Sequence, residues 1–177
     1  MTGVKKIHLI AAVDENWAIG YKNELLFRIK ADLQLNFKAK TLGQVVVMGR
    51  NTFESLPGKK PLKDRTNIVL SHSMPLVEQE DLIICRSVKE LSEILRGYPH
   101  CKVFIAGGAS IYSQLLPYCS IAYITKVIAS VVADKHLLNL DRESGWKLVE
   151  SGPEQVHDGN LRFFFTTYEN RKPLPLP

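Results

Sequence analysis

The sequence predicts an α/β fold, one domain around a largely parallel sheet that is closed along one edge by an antiparallel pair of strands. Three observations carry this: short unpunctuated apolar runs, helical stretches alternating with them, and two longer strand-like stretches near the C-terminus that flank a turn-forming segment. With 177 residues, 45% hydrophobic and 23% charged, the chain can bury one sizeable core, which suits a single domain over residues 1–177.

Ile7 to Val13 is the first apolar run, and its lack of polar alternation marks a strand covered on both faces. Gln44 to Met48, Thr66 to Leu70, Leu82 to Cys85, Lys102 to Ala106 and Ile121 to Val127 read the same way. Between them, helices are expected at Lys30 to Lys40, Thr52 to Leu56, Val88 to Leu95 and Ala109 to Leu115; in the third, Val88, Leu91, Ile94 and Leu95 share one face. Strand-helix alternation with right-handed crossovers makes the sheet mostly parallel. Trp146 to Ser151 and Leu161 to Tyr168, separated by His157, Asp158, Gly159 and Asn160, read as the antiparallel edge. Asp14 to Phe27 is expected as a connecting loop able to cover a pocket, and Ser55 to Asp64, with Pro57, Gly58 and Pro61, as another loop. Lys172 to Pro177 is expected to fray, with 173–177 a flexible tail.

Composition narrows the function. The apolar stretch behind Met1 to Lys6 is too short for a signal peptide or a spanning helix, so a cytoplasmic location without a membrane partner is the default. Cys85, Cys101 and Cys119 cannot all pair and lack CxxC spacing, so idle thiols are expected. His8, His72, His100, His136 and His157 stand singly, so no metal site is expected. The net charge of +5 suits an anionic partner, but the basic residues are dispersed and no nucleic-acid partner is expected.

Four features can carry chemistry. Asp32 stands between Ala31 and Leu33 in the first turn of a helix, where it either serves a pocket or merely favours the helix dipole. Gly49, Arg50, Asn51 and Thr52 follow a strand end, which suits a phosphate or, equally, a turn capped by Asn51 or Thr52. Gly107 and Gly108 follow another strand end and present bare backbone, and two such turns in one open sheet are where ligand crevices form. Arg65, ahead of a strand, can take a carboxylate bidentately or stay solvated.

Taken in order, Leu9-Ile-Ala-Ala12, Ala18-Ile-Gly20, Asp32, Val47-Met-Gly-Arg-Asn-Thr52, Arg65-Thr-Asn-Ile68, Ala106-Gly-Gly-Ala109 through Tyr112, and Tyr123-Ile-Thr125 resemble the dihydrofolate reductase family over roughly Ile7 to Tyr168. The resemblance implies a mixed eight-stranded sheet with helices on both faces and NADPH-dependent reduction of 7,8-dihydrofolate by a monomer, with antifolates as ligands of the same pocket. It implies that Asp32 is the catalytic, pterin-anchoring acid, helped by Thr125 through a bridging water. Ile10, Ala11, Leu33, Phe37, Leu56 and Leu62 would line the substrate pocket with Ala106 and Tyr112, and Arg65 would hold the glutamate tail. The cofactor would lie over Ala12, Ile19 and Gly20, with its pyrophosphate at Thr52 and the Gly107-Gly108 turn, and Asn23, Leu25, Gly49, Asn51, Ala109, Ser110, Ile111 and Tyr112 would also contact it. Arg50, Leu70, Ser71, His72 and Arg86 would surround its 2′-phosphate end, and the Gly107–Gly108 peptide would be cis.

This chain also departs from the family pattern. Leu26-Phe27 stands where Pro-Trp is usual, which keeps an aromatic ring and loses an indole N–H. Asn36 stands four residues after the acid, where the family has its pocket aromatic, and Asp32 to Thr41 is one residue longer than usual. Either a helix bulge or a shifted contact absorbs the extra residue, and either Leu35 or Phe37 takes the aromatic's place. Two other classes stay open on the residues: a reductase of similar fold acting on another heterocycle, such as the pyrimidine reductases of riboflavin synthesis, and a binding module without catalysis. Asp32 together with Arg65 argues against the first, and dispersed charge against the second.

Overall fold

The computed structural model describes residues 5–157 and 159–177; Met1 to Val4 of the basic start and Asp158 of the expected turn lie outside them. Twelve strands follow in chain order: β1 (Ile7–Val13), β2 (Ala18–Tyr21), β3 (Glu24–Leu25), β4 (Val45–Gly49), β5 (Thr66–Leu70), β6 (Leu82–Cys85), β7 (Val103–Ile105), β8 (Ile121–Val127), β9 (Lys135–His136), β10 (Trp146–Ser151), β11 (Gln155–His157) and β12 (Leu161–Asn170). The main sheet runs β10-β12-β8-β1-β7-β4-β5-β6, with β11 added against β12. All neighbours from β8 through β6 are parallel, and β12 pairs antiparallel with β8, β10 and β11. The mixed sheet with an antiparallel edge is therefore present, with β11 as an addition to the eight strands expected.

The apolar runs become β1 and β4 to β8, with β6 at the sheet's edge, and helices cover both faces. Leu9, Val47 and Ile105 point to one side, where Leu91 and Leu95 of α3 (Val88–Leu95) and Ile111 and Leu115 of α4 (Ala109–Leu115) complete a buried cluster. Val46, Met48 and Val69 point to the other side and pack on Phe53 of α2 (Arg50–Glu54), with Phe37 and Leu56 at the margin. The Ser87 hydroxyl accepts from the Glu90 N–H and caps α3. Gly49 occupies the N-cap of α2, so that helix starts two residues before the expected Thr52, and neither Asn51 nor Thr52 caps it.

Three expectations change. The segment Asp14 to Phe27 is not a plain loop, since β2 and β3 form a hairpin there and β9 joins β2 to make a second small sheet. Its two-residue turn, Lys22 and Asn23, has positive φ at both positions, as a tight hairpin that follows strand twist requires. Buried Asp14 fixes the segment's base by accepting from the N–H groups of Asn16, Ala18 and Val131. The expected frayed tail is instead docked: the Leu174 N–H reaches the Pro117 carbonyl and Leu176 packs on the main core.

The third change concerns the helix that carries Asp32. It is π-helical over Ala31–Lys38 and passes into an α-helical turn, α1 (Ala39–Thr41). A π turn accommodates one residue more than an α turn, so the bulge absorbs the extra residue. Leu35 is turned out, 73% exposed, whereas Phe37 packs on the cluster of Val46 and Met48, so Phe37 takes the aromatic's place.

Replacement of Leu35 by Gln is expected to change stability by less than about 0.5 kcal/mol. Ile105→Ala, at a position 0% exposed in β7, is expected to cost about 2–5 kcal/mol. Urea unfolding measures both, and equal costs would contradict this helix register.

Candidate active site

The carboxyl ends of β1, β4, β5 and β7 open onto one cleft of about 850 Å³, as expected for an open α/β sheet. Its floor comes from β1, where Ile10 and Ala12 lie on the same face as Thr125 of β8, directly across from Ala12. The π-helical stretch crosses above this face and lowers Asp32 onto it.

Asp32 is largely buried, and the Thr125 hydroxyl, itself 0% exposed, donates to its Oδ1 at 2.5 Å. The expected bridging water is therefore replaced by a direct bond. The Asn36 carboxamide donates to the same Oδ1 at 3.1 Å and lies 3.5 Å from the Thr125 hydroxyl. Neither bond engages Oδ2. Burial pushes the Asp32 carboxyl above the ordinary carboxylate value, and the bonds from Thr125 and Asn36 oppose that rise. The ion pairs of the described residues, Arg50–Glu54, Lys126–Asp141 and Arg162–Glu154, leave Asp32 out, so no side-chain cation neutralises it.

Leu33, Phe37, Leu56 and Leu62 give this end of the cleft an apolar wall. Arg65 closes it. The side chain is 8% exposed, far from the solvated arginine that was one reading of it, yet it reaches the cleft. Its Nε donates to the Thr41 hydroxyl at 3.2 Å and one terminal nitrogen donates to the Lys63 carbonyl at 2.8 Å, which fixes the guanidinium without neutralising it.

At the other end, the turns after β4 and β7 touch. The Gly49 N–H donates to the Gly107 carbonyl at 2.8 Å, and the Gly107–Gly108 peptide is cis. A Cβ on Gly49 would meet Ile111 Cγ1 at 2.9 Å, and Gly107 has φ +112, so both positions need glycine. Tyr112 is buried behind them and donates its hydroxyl to the Ile10 carbonyl at 2.7 Å. Asn51, Thr52, Ala106, Ala109, Ser110 and Ile111 complete this part of the lining, and Ala11, Ile19, Gly20, Asn23 and Leu25 form the rim above it. Arg50, Leu70, Ser71 and His72 mark the far end, where Arg50 is held by Glu54 at 2.8 Å.

Two expected residues do not line the cleft. Thr125 acts from beneath through Asp32. Arg86 instead donates to the carbonyls of Ser71, at 2.8 Å, and Met74, at 2.5 Å, and so braces the loop that carries His72. Met48, Phe27, Arg28, Lys38, Ser73 and Lys135 line the cleft without having been foreseen. Lys38 and Ser73 neighbour expected residues, which is a usable signal. Lys135 has none, because only the β2–β9 pairing brings it there.

Cys85 and Cys119 are buried thiols, each pushed up to about 12 chiefly by burial. Among the described residues no cluster of His, Cys, Asp and Glu could hold a metal, and no helix is long and apolar enough to cross a membrane.

Comparison with known proteins agrees with this geometry. Residues 6–170 match the family model for dihydrofolate reductase. The chain is 39% identical over 166 residues to the dihydrofolate reductase of Bacillus subtilis (strain 168), covering 93% of this chain and 95% of that one. It is 36% identical to the enzyme of Neisseria meningitidis serogroup B (strain ATCC BAA-335 / MC58), covering 92% and 97%. A solved dihydrofolate reductase from Enterococcus faecalis, complexed with NADP(H) and RAB-propyl, superimposes with a TM-score of 0.77 at 30% identity, over 93% of this chain and 96% of that one.

The Asp32 environment has a consequence for folding. A carboxyl whose folded pKa lies above its unfolded value favours the fold when protonated, and that contribution is lost as pH rises through the folded pKa. Asp32→Asn is therefore expected to stabilise the ligand-free protein at neutral pH, with the gain shrinking as pH falls toward the ordinary value of 3.8. Thermal unfolding across pH measures it. A gain that grew toward acid pH would contradict the direction of the shift.

Proposed function

Because the chain belongs to the dihydrofolate reductase family and is an enzyme of that family, we propose that it reduces 7,8-dihydrofolate to 5,6,7,8-tetrahydrofolate, with Asp32 as the working carboxylate. The observation that carries this reading is a buried acid at the cleft floor with one oxygen engaged and, among the described residues, no ion-pair partner. A dihydropterin offers a 2-amino group and a ring N–H side by side, and one carboxylate accepts from both. Asp32 anchors the ring, and its carboxyl, raised by burial, is placed to pass a proton toward the ring nitrogen beside the carbon to be reduced. Ile10, Leu33, Phe37 and Leu56 exclude water from the ring, which strengthens every polar interaction at Asp32.

Arg65 takes the substrate's α-carboxylate. Its guanidinium is already oriented by Thr41 and Lys63, so little rotamer freedom is lost on binding.

The second half of the cleft fits a dinucleotide. A Cβ on Gly107 would lie 3.5 Å from the Thr52 hydroxyl and one on Gly108 3.4 Å, so bare backbone and a hydroxyl share a space suited to a pyrophosphate. Arg50, Ser71 and His72 at the far end favour a 2′-phosphate, hence NADPH rather than NADH. NADPH supplies the hydride when bound. The rim residues Ile19, Gly20, Asn23 and Leu25 belong to a hairpin braced by Asp14 and β9, and they would shield the nicotinamide end of a bound cofactor. The reading carries with it a cytoplasmic monomer that feeds one-carbon and thymidylate metabolism and takes antifolates in the Asp32 pocket.

The first test is dihydrofolate-dependent loss of NADPH absorbance, and no such loss removes the assignment. Asp32→Asn is expected to keep NADPH affinity while turnover at neutral pH falls about a hundredfold or more; near-normal turnover would deny Asp32 its role. Arg50→Ala is expected to weaken NADPH about tenfold or more and NADH far less. Equal weakening of the two cofactors, read by fluorescence titration, would remove the 2′-phosphate role.

A further inference from the structure

The π turn that carries Asp32 places two successive residues beside it. In an α-helix the residue four positions on lies over residue i, whereas π hydrogen bonding runs to i+5. Here the residue at i+5, Phe37, lines the cleft, and the residue at i+4, Asn36, is driven against the sheet and is 8% exposed. Asn36 is thus a buried polar side chain whose amide serves the carboxylate, and nothing in the proposed reaction has yet used it.

Its hydrogen bonding is directional. The Thr125 hydroxyl has one proton and spends it on Asp32 Oδ1, so its lone pairs are free to accept. The Asn36 Nδ2 has two protons, one for Oδ1 at 3.1 Å and one for the Thr125 hydroxyl at 3.5 Å. The flipped amide would set its carbonyl against the carboxylate and against an oxygen with no proton left, so the orientation follows from the network. Beyond the amide, Asn36 also lines a separate polar cavity of about 460 Å³ shared with Lys40, Tyr123, Glu150, Thr166 and Thr167.

We propose that Asn36 is a positioning residue for the Asp32 carboxylate: its carboxamide orients Asp32 together with Thr125 and favours the ionised form, setting the pH at which Asp32 exchanges its proton. Asn36 need not touch the substrate to do this. Burial alone drives the carboxyl toward neutrality, and the two donors are the groups that oppose it. The other ionisable groups around the acid are not in ion-pair contact with it. They are Tyr112 of α4, with its hydroxyl committed to Ile10; Arg28, Lys38 and Arg65 along the cleft; His8 and Tyr123 on the sheet beneath; and Lys40 and Glu150 across the second cavity.

The test is a carboxyl carbon-13 NMR titration of the ligand-free full chain, with the Asp32 signal identified by its loss in Asp32→Asn. Asn36→Leu, which removes the donor at similar volume, is expected to raise the Asp32 midpoint by about one pH unit, the size of one charge-assisted hydrogen bond. Asn36→Ala is expected to move it the same way and serves should the leucine variant fold poorly. Asn36→Ser, which restores a hydroxyl donor, is expected to recover part of the difference from Ala. A midpoint unchanged or lowered in both Leu and Ala variants overturns the proposal, including the case in which stability falls while the titration stays put. The titration needs neither substrate nor cofactor, so it stands apart from the assignment of Asp32 to dihydrofolate. Under that assignment the upper limb of the turnover–pH profile moves upward by the same amount. A midpoint that moves while the profile does not upholds Asn36 as positioning residue and overturns Asp32 as the group that limits turnover.

Discussion

The hydrogen bond from the Thr125 hydroxyl to Asp32 joins the helical layer to the sheet, and the cleft depends on it. A carboxylate in a water-poor pocket is costly without compensation, and among the described residues no side-chain cation pairs with this one. Compensation comes from donors on two elements, Thr125 on β8 and Asn36 on the π-helical stretch, both directed at Oδ1. Because Thr125 and the acid arrive from distant parts of the chain, their meeting constrains how that stretch sits over β1 and β8.

The opposite end of the cleft is held by backbone rather than side chains. The bond between Gly49 and Gly107 ties the turns after β4 and β7 together, and the lack of side chains there is what lets them approach. The two ends differ in kind: an apolar chamber with one acid and one fixed arginine, and a backbone cradle edged with polar side chains. That division matches a substrate with a flat polar ring and a carboxylate tail beside a phosphorylated cofactor.

Much of this was legible in the chain. The six parallel strands, β1 and β4 to β8, announced themselves as apolar runs, because burial removes much of the polar alternation of half-exposed strands. Gly49, the Gly107-Gly108 pair and Asp32 were legible as part of an ordered set of residues whose spacing matched a known family, and of the expected cleft residues Thr125 and Arg86 are the ones found outside its lining. The β2–β3 hairpin and β9 were not legible. They are two to four residues long and owe their strand character to one another rather than to any run of apolar residues. Phe27 carries no N–H to offer the acid, and its chemistry gave no hint that an amide at Asn36 would supply one.

By itself, then, the sequence determined the sheet's parallel strands, the helices on its faces and the family, because these rest on local burial patterns and on residue types at fixed spacing. Tertiary structure decided what happens to the one extra residue after Asp32. Leu33, Leu35 and Phe37 alternate with Gln34 and Asn36, a strand's period inside a helix, so their spacing alone could not say which of them would turn out to solvent. Packing against Val46 and Met48 drew Phe37 inward, the turn widened to π, and Asn36 came to rest between the acid and the sheet. The preference of a buried carboxylate for a donor is a property of the folded interior, where water is absent, and no linear spacing records it.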